Sequence, residues 1–205
     1  MEALTLQQIL DKIANRHDIS GYLLEDIVLS GRDCSGLSFA GSVLQNVDFS
    51  GAHLADCDFS EATLSKCNLA KARMSQGVFR EASFIECDLT AADFSGASLA
   101  WTVFMRCTLR FATFYGAILV DTVITETDIR GGDFSTASIA HAMISGSTFV
   151  QGVLDSLECT MTTIGACDFS GASFRGAKLA ESGFNACTFD DAVMEEGHIT
   201  GSSFS

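Results

Sequence analysis

Ala92-Asp93-Phe94-Ser95-Gly96-Ala97-Ser98-Leu99-Ala100-Trp101 contains two copies of one five-residue unit, small–polar–large apolar–X–X, with Phe94 and Leu99 as the large residues. Counting by fives in both directions, the same frame runs from Leu24 to Phe204. All 37 centre positions in it are Leu, Phe, Ile, Met or Cys. A period of five matches neither a helix, at about 3.6, nor an alternating strand, at about 2, so it describes a repeating extended-plus-turn unit. Fixed self-similarity over most of a chain is the signature of a solenoid, whose units pack only on their neighbours.

Within each unit the centre, i, and the residue two before it lie on the same side of an extended segment. The centre is large and i−2 is mostly Ala, Cys, Ser, Thr or Gly, so both are expected to point inward. Residue i−1 then points outward, and i+1 with i+2 makes a corner. Eleven of the 18 glycines occupy i+2, among them Gly51, Gly96 and Gly171, which suits a turn with positive φ. Cys67, Cys87, Cys107, Cys167 and Cys187 are separated by multiples of 20 residues, with Thr127 and Ser147 filling the gap; Cys57 lies outside this column. The column from Ala52 to Ala192 at the same spacing holds only Ala or Gly. Columns that keep their chemistry every 20 residues predict four units per coil, a square cross-section. About nine such coils make a rod of roughly 43 Å at strand spacing. Proline is absent, so the backbone N–H groups can all join the ladders.

The ends of the frame differ. Residues 1–21 precede the repeats as a separate cap, and residues 22–205 form the repeat domain. Residues 4–16 read as a short amphipathic helix, with Thr5 and Gln8 as a capping box and Leu6, Ile9, Leu10 and Ile13 as its apolar stripe. A lid over the first coil is its expected role. Arg32, two before Cys34, makes that unit the weakest of the array. At Leu157 and Cys159 the large and small inward residues exchange places, a volume-conserving swap expected to repack locally. The last residues stop in mid-repeat without a capping helix, which points to end-to-end pairing of two copies through the open C-terminal coil, a partner on that edge, or a truncated chain.

Ala92-Asp93-Phe94-Ser95-Gly96, Cys67-Asn68-Leu69-Ala70-Lys71 and Cys167-Asp168-Phe169-Ser170-Gly171 resemble the pentapeptide-repeat family, whose consensus is Ala-(Asp/Asn)-Leu-X-X. The resemblance covers about nine-tenths of the chain. It implies an all-β fold, a right-handed quadrilateral parallel β-helix. It does not imply one function. One branch, the quinolone-resistance proteins, mimics duplex DNA and occupies DNA gyrase, and similar arrays serve as adaptors at bacterial secretion loci.

Composition narrows the function further. A formal charge of −14 argues against direct binding to nucleic acid, which needs clustered Lys and Arg. Acids outnumber bases 9 to 3 in residues 1–60 and 12 to 3 in 113–205, but residues 61–112 hold 5 acids and 6 bases. No apolar run is long enough for a membrane helix and no secretory signal opens the chain. Eight cysteines without such a signal suggest a reducing cytoplasm. His17, His53, His141 and His198 are scattered, and no nucleophile motif, phosphate loop or metal spacing occurs, so neither an enzyme nor a cofactor, metal or small-molecule substrate is expected. A straight cysteine ladder cannot wrap a metal and reads as small buried hydrophobes.

Two outward features remain. Trp101, the only Trp, sits at a corner, and Ile85, Val103, Met105, Val123 and Met143 share its side of the rod; Phe111 and Tyr115 point outward two sides away. A contiguous apolar patch with an aromatic anchor marks a protein interface. The expected function is therefore a scaffold or adaptor that binds a protein partner through this face. The alternative uses the column holding Asp48, Asp88, Asp128 and Asp168, with carboxylates at about every second coil, as a DNA-mimicking face against gyrase or topoisomerase IV.

Overall fold

In the computed structural model, which describes residues 1–205, the chain winds as a four-sided parallel β-helix. Pairing joins residues 20 apart without a slip: Leu44 faces Leu64, Leu64 faces Phe84, and the series continues to Phe184 and Phe204. Nine complete coils span residues 22–201 and a tenth begins at 202. We number the faces by their centres: Leu24, Leu44 and onward on face one; Leu29 and Phe49 on face two; Cys34 and Leu54 on face three; Phe39 and Phe59 on face four.

The faces are built differently. Face one is an 11-stranded parallel sheet. Its rungs run from β2 (Tyr22–Glu25) to Ser203–Phe204, and its first strand, β1 (Glu2–Ala3), pairs in parallel with β2. Faces two and three are joined by single bridges at i−1, such as Asp48 with Asn68 and Arg73 with Asp93. Face four starts with bridges of that kind and becomes a 5-stranded sheet from Ile118–Val120 onward.

The bridged sides carry a tie that the strand sides lack. Asp93 Oδ1 accepts the backbone N–H of Ser95 at 2.9 Å, and Asp48, Asp58, Asp133 and Asp168 accept that of the serine two residues on at 2.8–2.9 Å. These are Asx turns, in which a short carboxylate holds the chain as it leaves the bridge and enters the corner. Every i+2 residue from Asp26 to Gly201 has positive φ; 11 of these are glycines, and the rest include Ala91, Trp101, Phe111 and Thr136 at 55–58°. Side chains with a Cβ disfavour that region, and the ladders on either side of the corner hold them in it.

Inside, centres stack in columns. Phe94 lies parallel to Phe114 at 5.0 Å and Phe114 to Phe134 at 4.5 Å, while Phe94 meets Phe104 of the next face edge-on at 6.0 Å. Such rings combine burial with stacking. Polar i−2 residues are satisfied by backbone carbonyls: Thr102 Oγ1 donates to the centre 23 positions earlier, Phe79, at 2.7 Å, and the Cys67, Cys87 and Cys107 thiols to Leu44, Leu64 and Phe84 at 3.3–3.5 Å, while Thr127, Ser147 and Thr162 donate to the carbonyl two residues back at 2.9–3.1 Å. Leu157 and Cys159 are both buried, and Cys159 stays in register with Ile139 and Leu179. The exchange leaves only an apolar void of about 10 Å³ beside them, about the least that could hold one water.

At the N-terminus, α1 (Leu6–Ala14) has Thr5 as its cap and a complete capping box with Gln8. Ile9 is fully buried on the first coil, and Leu10 and Ile13 pack partly against the core. Leu6, read as part of the apolar stripe, is 43% exposed, because it lies in the first turn beyond the edge of the coil. Arg32 occupies an inward position but is exposed, since the coil end lets it swing out into a cleft beneath α1 lined by Leu10 and Ile13. At the other end the stack is uncovered: Ile199 and Phe204 are exposed and Phe189 and Met194 are only partly buried. The nine-residue α1 is the one helix, and no helix is long and apolar enough to cross a membrane.

Candidate interaction face

Stacked side chains fill the interior of the rod, so the outward columns supply the candidate surfaces. Face one presents two of them, i−1 and i+1, and after Glu25 neither holds a charged residue as far as Ser205. The reason is local. On this face i+1 continues the strand instead of entering an Asx turn, so the i−1 carboxylate that braces faces two and three has no role here.

The structure places Ile85, Val103, Met105, Val123 and Met143 on successive rungs of face one, with Met143 57% exposed and the other four half-buried. Trp101 stands at the corner between faces four and one, 46% exposed. The Arg80 guanidinium lies 4.7 Å from its ring centroid and is held by Glu81 at 3.2 Å, so the indole is braced from one side by a cation–π contact. The apolar surface continues round that corner. Ile118 on face four is 49% exposed, Val120 is half-buried, and Met161, in the corner column of Trp101, is 48% exposed. These three were not among the residues expected on the patch, although the same repeat rule assigns outward positions on face four as on face one. Phe111 and Tyr115 project from the far side, with the Phe111 ring lying against Gly131, where a Cβ would stand 2.6 Å from it.

Asp48, Asp88, Asp128 and Asp168 are brought onto face two in one bridged column. Each spends Oδ1 on an Asx turn, accepting N–H from Ser50, Thr90, Arg130 and Ser170. Asp128 also forms an ion pair with Arg130, whose hydrogen bond holds its carboxyl below the usual carboxylate range. The column therefore has a structural duty at every Asp and partial neutralisation at one. The cysteine column is buried down to Cys167, with Cys187 half-buried near the end. Burial pushes the Cys34 and Cys167 thiols to about 11 and Cys57 to about 12, which makes them poor nucleophiles.

Nine square coils of five-residue sides, with stacked inward centres and left-handed corners, define a solenoid repeat protein. The chain belongs to the pentapeptide-repeat family. The profile described as Pentapeptide repeat region matches residues 57–134, and that described as Pentapeptide repeats (8 copies) matches residues 24–60 and 167–205. Among solved structures it is similar to HetL, a pentapeptide repeat protein involved in heterocyst differentiation regulation from the cyanobacterium Nostoc sp. strain PCC 7120. That match has 21% identity and a TM-score of 0.50, covering 98% of this chain and 97% of that one. It is also similar to full-length QnrB1, a plasmid-mediated fluoroquinolone resistance protein, at 20% identity and a TM-score of 0.52, covering 89% and 93%. At these identities the likeness shows the fold alone. Comparison with curated protein sequences found no match.

Proposed function

We propose that this protein is a non-enzymatic scaffold that binds a protein partner through the edge shared by faces one and four, with Trp101 as the anchor. The observation that supports this most is the uncharged face one in a chain of net charge −14. Surface apolars are common singly, but a run of them on adjacent rungs beside the only Trp is what interfaces use. A rigid parallel ladder also presents its columns with little entropy to lose on binding. The test is Trp101→Ala combined with Met105→Ser. The circular dichroism spectrum should stay unchanged while association with the partner captured from the source cell weakens at least tenfold. Unfolding, or unchanged association, would reject the assignment.

A second reading is inhibition of gyrase or topoisomerase IV by DNA mimicry. The bridged column of Asp48, Asp88, Asp128 and Asp168 favours it by its regular spacing, and their Asx duties and Arg130 weaken it. A DNA supercoiling assay separates the two readings: inhibition at micromolar protein or below supports mimicry and counts against the scaffold.

A further inference from the structure

The rim of the apolar patch indicates what kind of partner it takes. Each rung of face one lies between two corner residues. Below the Trp101 rung these are Glu81 and Glu86, and above it Asp121 and Glu126. The lower two are engaged, Glu81 with Arg80 and Glu86 with Arg106, both at 3.2 Å. The upper two belong to none of the molecule's six ion pairs, and they straddle Val123 at either edge of the face. The patch is thus an uncharged strip, two side chains wide, with a carboxylate on each bank at the rungs of Phe84 and Ile124, and Trp101 facing Arg106 across the rung between them.

Resting on the interface reading above, we infer that the occupant of this face is a cationic amphipathic helix of a partner protein, with an apolar stripe and Lys or Arg along both sides of it. Two arguments select it. The outward columns of a rung are about 7 Å apart, two strand residues, and a helix about 10 Å wide covers both while its flanking residues reach the banks. The charges disfavour the obvious rival: the corners flanking the rungs of Phe84, Phe104 and Ile124 carry four carboxylates against one guanidinium, Arg106, so a second copy laid face to face would bring two net-acidic rims together, which opposes association. Basic flanks would instead complete the two ion pairs that the rod leaves open.

Trp101 is the only Trp, so its emission reports on this site alone. The probes are an 18-residue peptide with a leucine stripe flanked by lysines and a twin with glutamates in place of lysines, each titrated into the full chain. The lysine peptide should bind saturably with a blue shift, more weakly as salt rises, and the glutamate twin should not bind. Asp121→Asn with Glu126→Gln should weaken binding at least tenfold. Asp88→Asn with Asp168→Asn removes the same charge from face two but keeps the Asx acceptors, and it should change binding less than twofold. Equal loss from both pairs would mean general attraction to an acidic protein and would overturn the inference, as would binding of neither peptide. Equal binding of both peptides, abolished by Met105→Ser with Val123→Ser, would overturn the cationic partner while keeping the face as an interface. Binding of the lysine peptide unaffected by those two serines would overturn the interface reading itself.

Discussion

Asp93, Phe94 and Ser95 show how much one unit has to do. Phe94 is wholly buried between the Phe114 ring, stacked at 5.0 Å, and the edges of Phe84 and Phe104. Its coil is held by ladders on both sides and cannot collapse into a void, so Phe94→Ala should cost about 3–5 kcal/mol, measured by chemical denaturation. Asp93 works outside the core through an acceptor oxygen. Asp93→Asn keeps that oxygen and should be nearly neutral, while Asp93→Ala leaves the Ser95 N–H without its partner and should cost about 0.5–1.5 kcal/mol. If the carboxylate mattered for charge, Asn and Ala would cost the same. The inward residues were legible in the sequence because burial repeats with the period. The Asx duty was less legible, although Asp-Phe-Ser recurs five times, because an outward Asp serves equally as surface charge and only the folded corner brings its carboxylate to the N–H two residues on.

At the scale of the element, the corner is where the repeat is least comfortable. Ala91 sits at φ 55° with a Cβ in a region that favours glycine. Ala91→Gly relieves that strain at some cost in unfolded-chain entropy, and should raise stability by about 0.5–1 kcal/mol, seen as a higher denaturation midpoint. The coil at Leu157 and Cys159 tests the packing rule from inside. The void of about 10 Å³ there cannot take the extra carbons of a larger side chain. Cys159→Leu alone should therefore cost about 1–3 kcal/mol through overpacking. Adding Leu157→Ala restores the ordinary small–large order and should recover most of that loss, so the double-mutant cycle should show strong coupling. That this coil stays in register was foreseeable from conserved volume. The two-residue β1 was not: Glu2–Ala3 has no period of its own and is a strand only because β2 offers an edge. The outward apolar surface was half legible: Trp101 and face one stand out in the sequence, while Ile118 and Val120 lie round the corner, on a side that becomes a continuous sheet only from that rung onward.

For the whole molecule, the faces divide the work: acids where corners need Asx turns, uncharged outward columns on face one where the chain runs straight through, and thiols or hydroxyls inside where the small inward position meets a carbonyl. The interior makes a prediction about pH. Burial holds the Cys34 and Cys167 thiols at about 11 and Cys57 at about 12, against an ordinary value of 9.0. Below pH 9 these groups are protonated in both folded and unfolded chains, and their contribution to stability is whole. Above it the unfolded chain ionises while the folded chain keeps its protons, so stability falls until the pH passes about 11–12. Each group contributes at most about 1.4 kcal/mol per pH unit over that window. Denaturation midpoints at pH 8, 9 and 10 should decline, and Cys34→Ala with Cys57→Ala should flatten the decline; an unchanged slope would assign it to lysines and tyrosines instead. Thiol titration of the native protein at pH 8 reads the same burial directly. Of the eight cysteines only Cys187 is not fully buried, so one should react rapidly and the other seven only after unfolding.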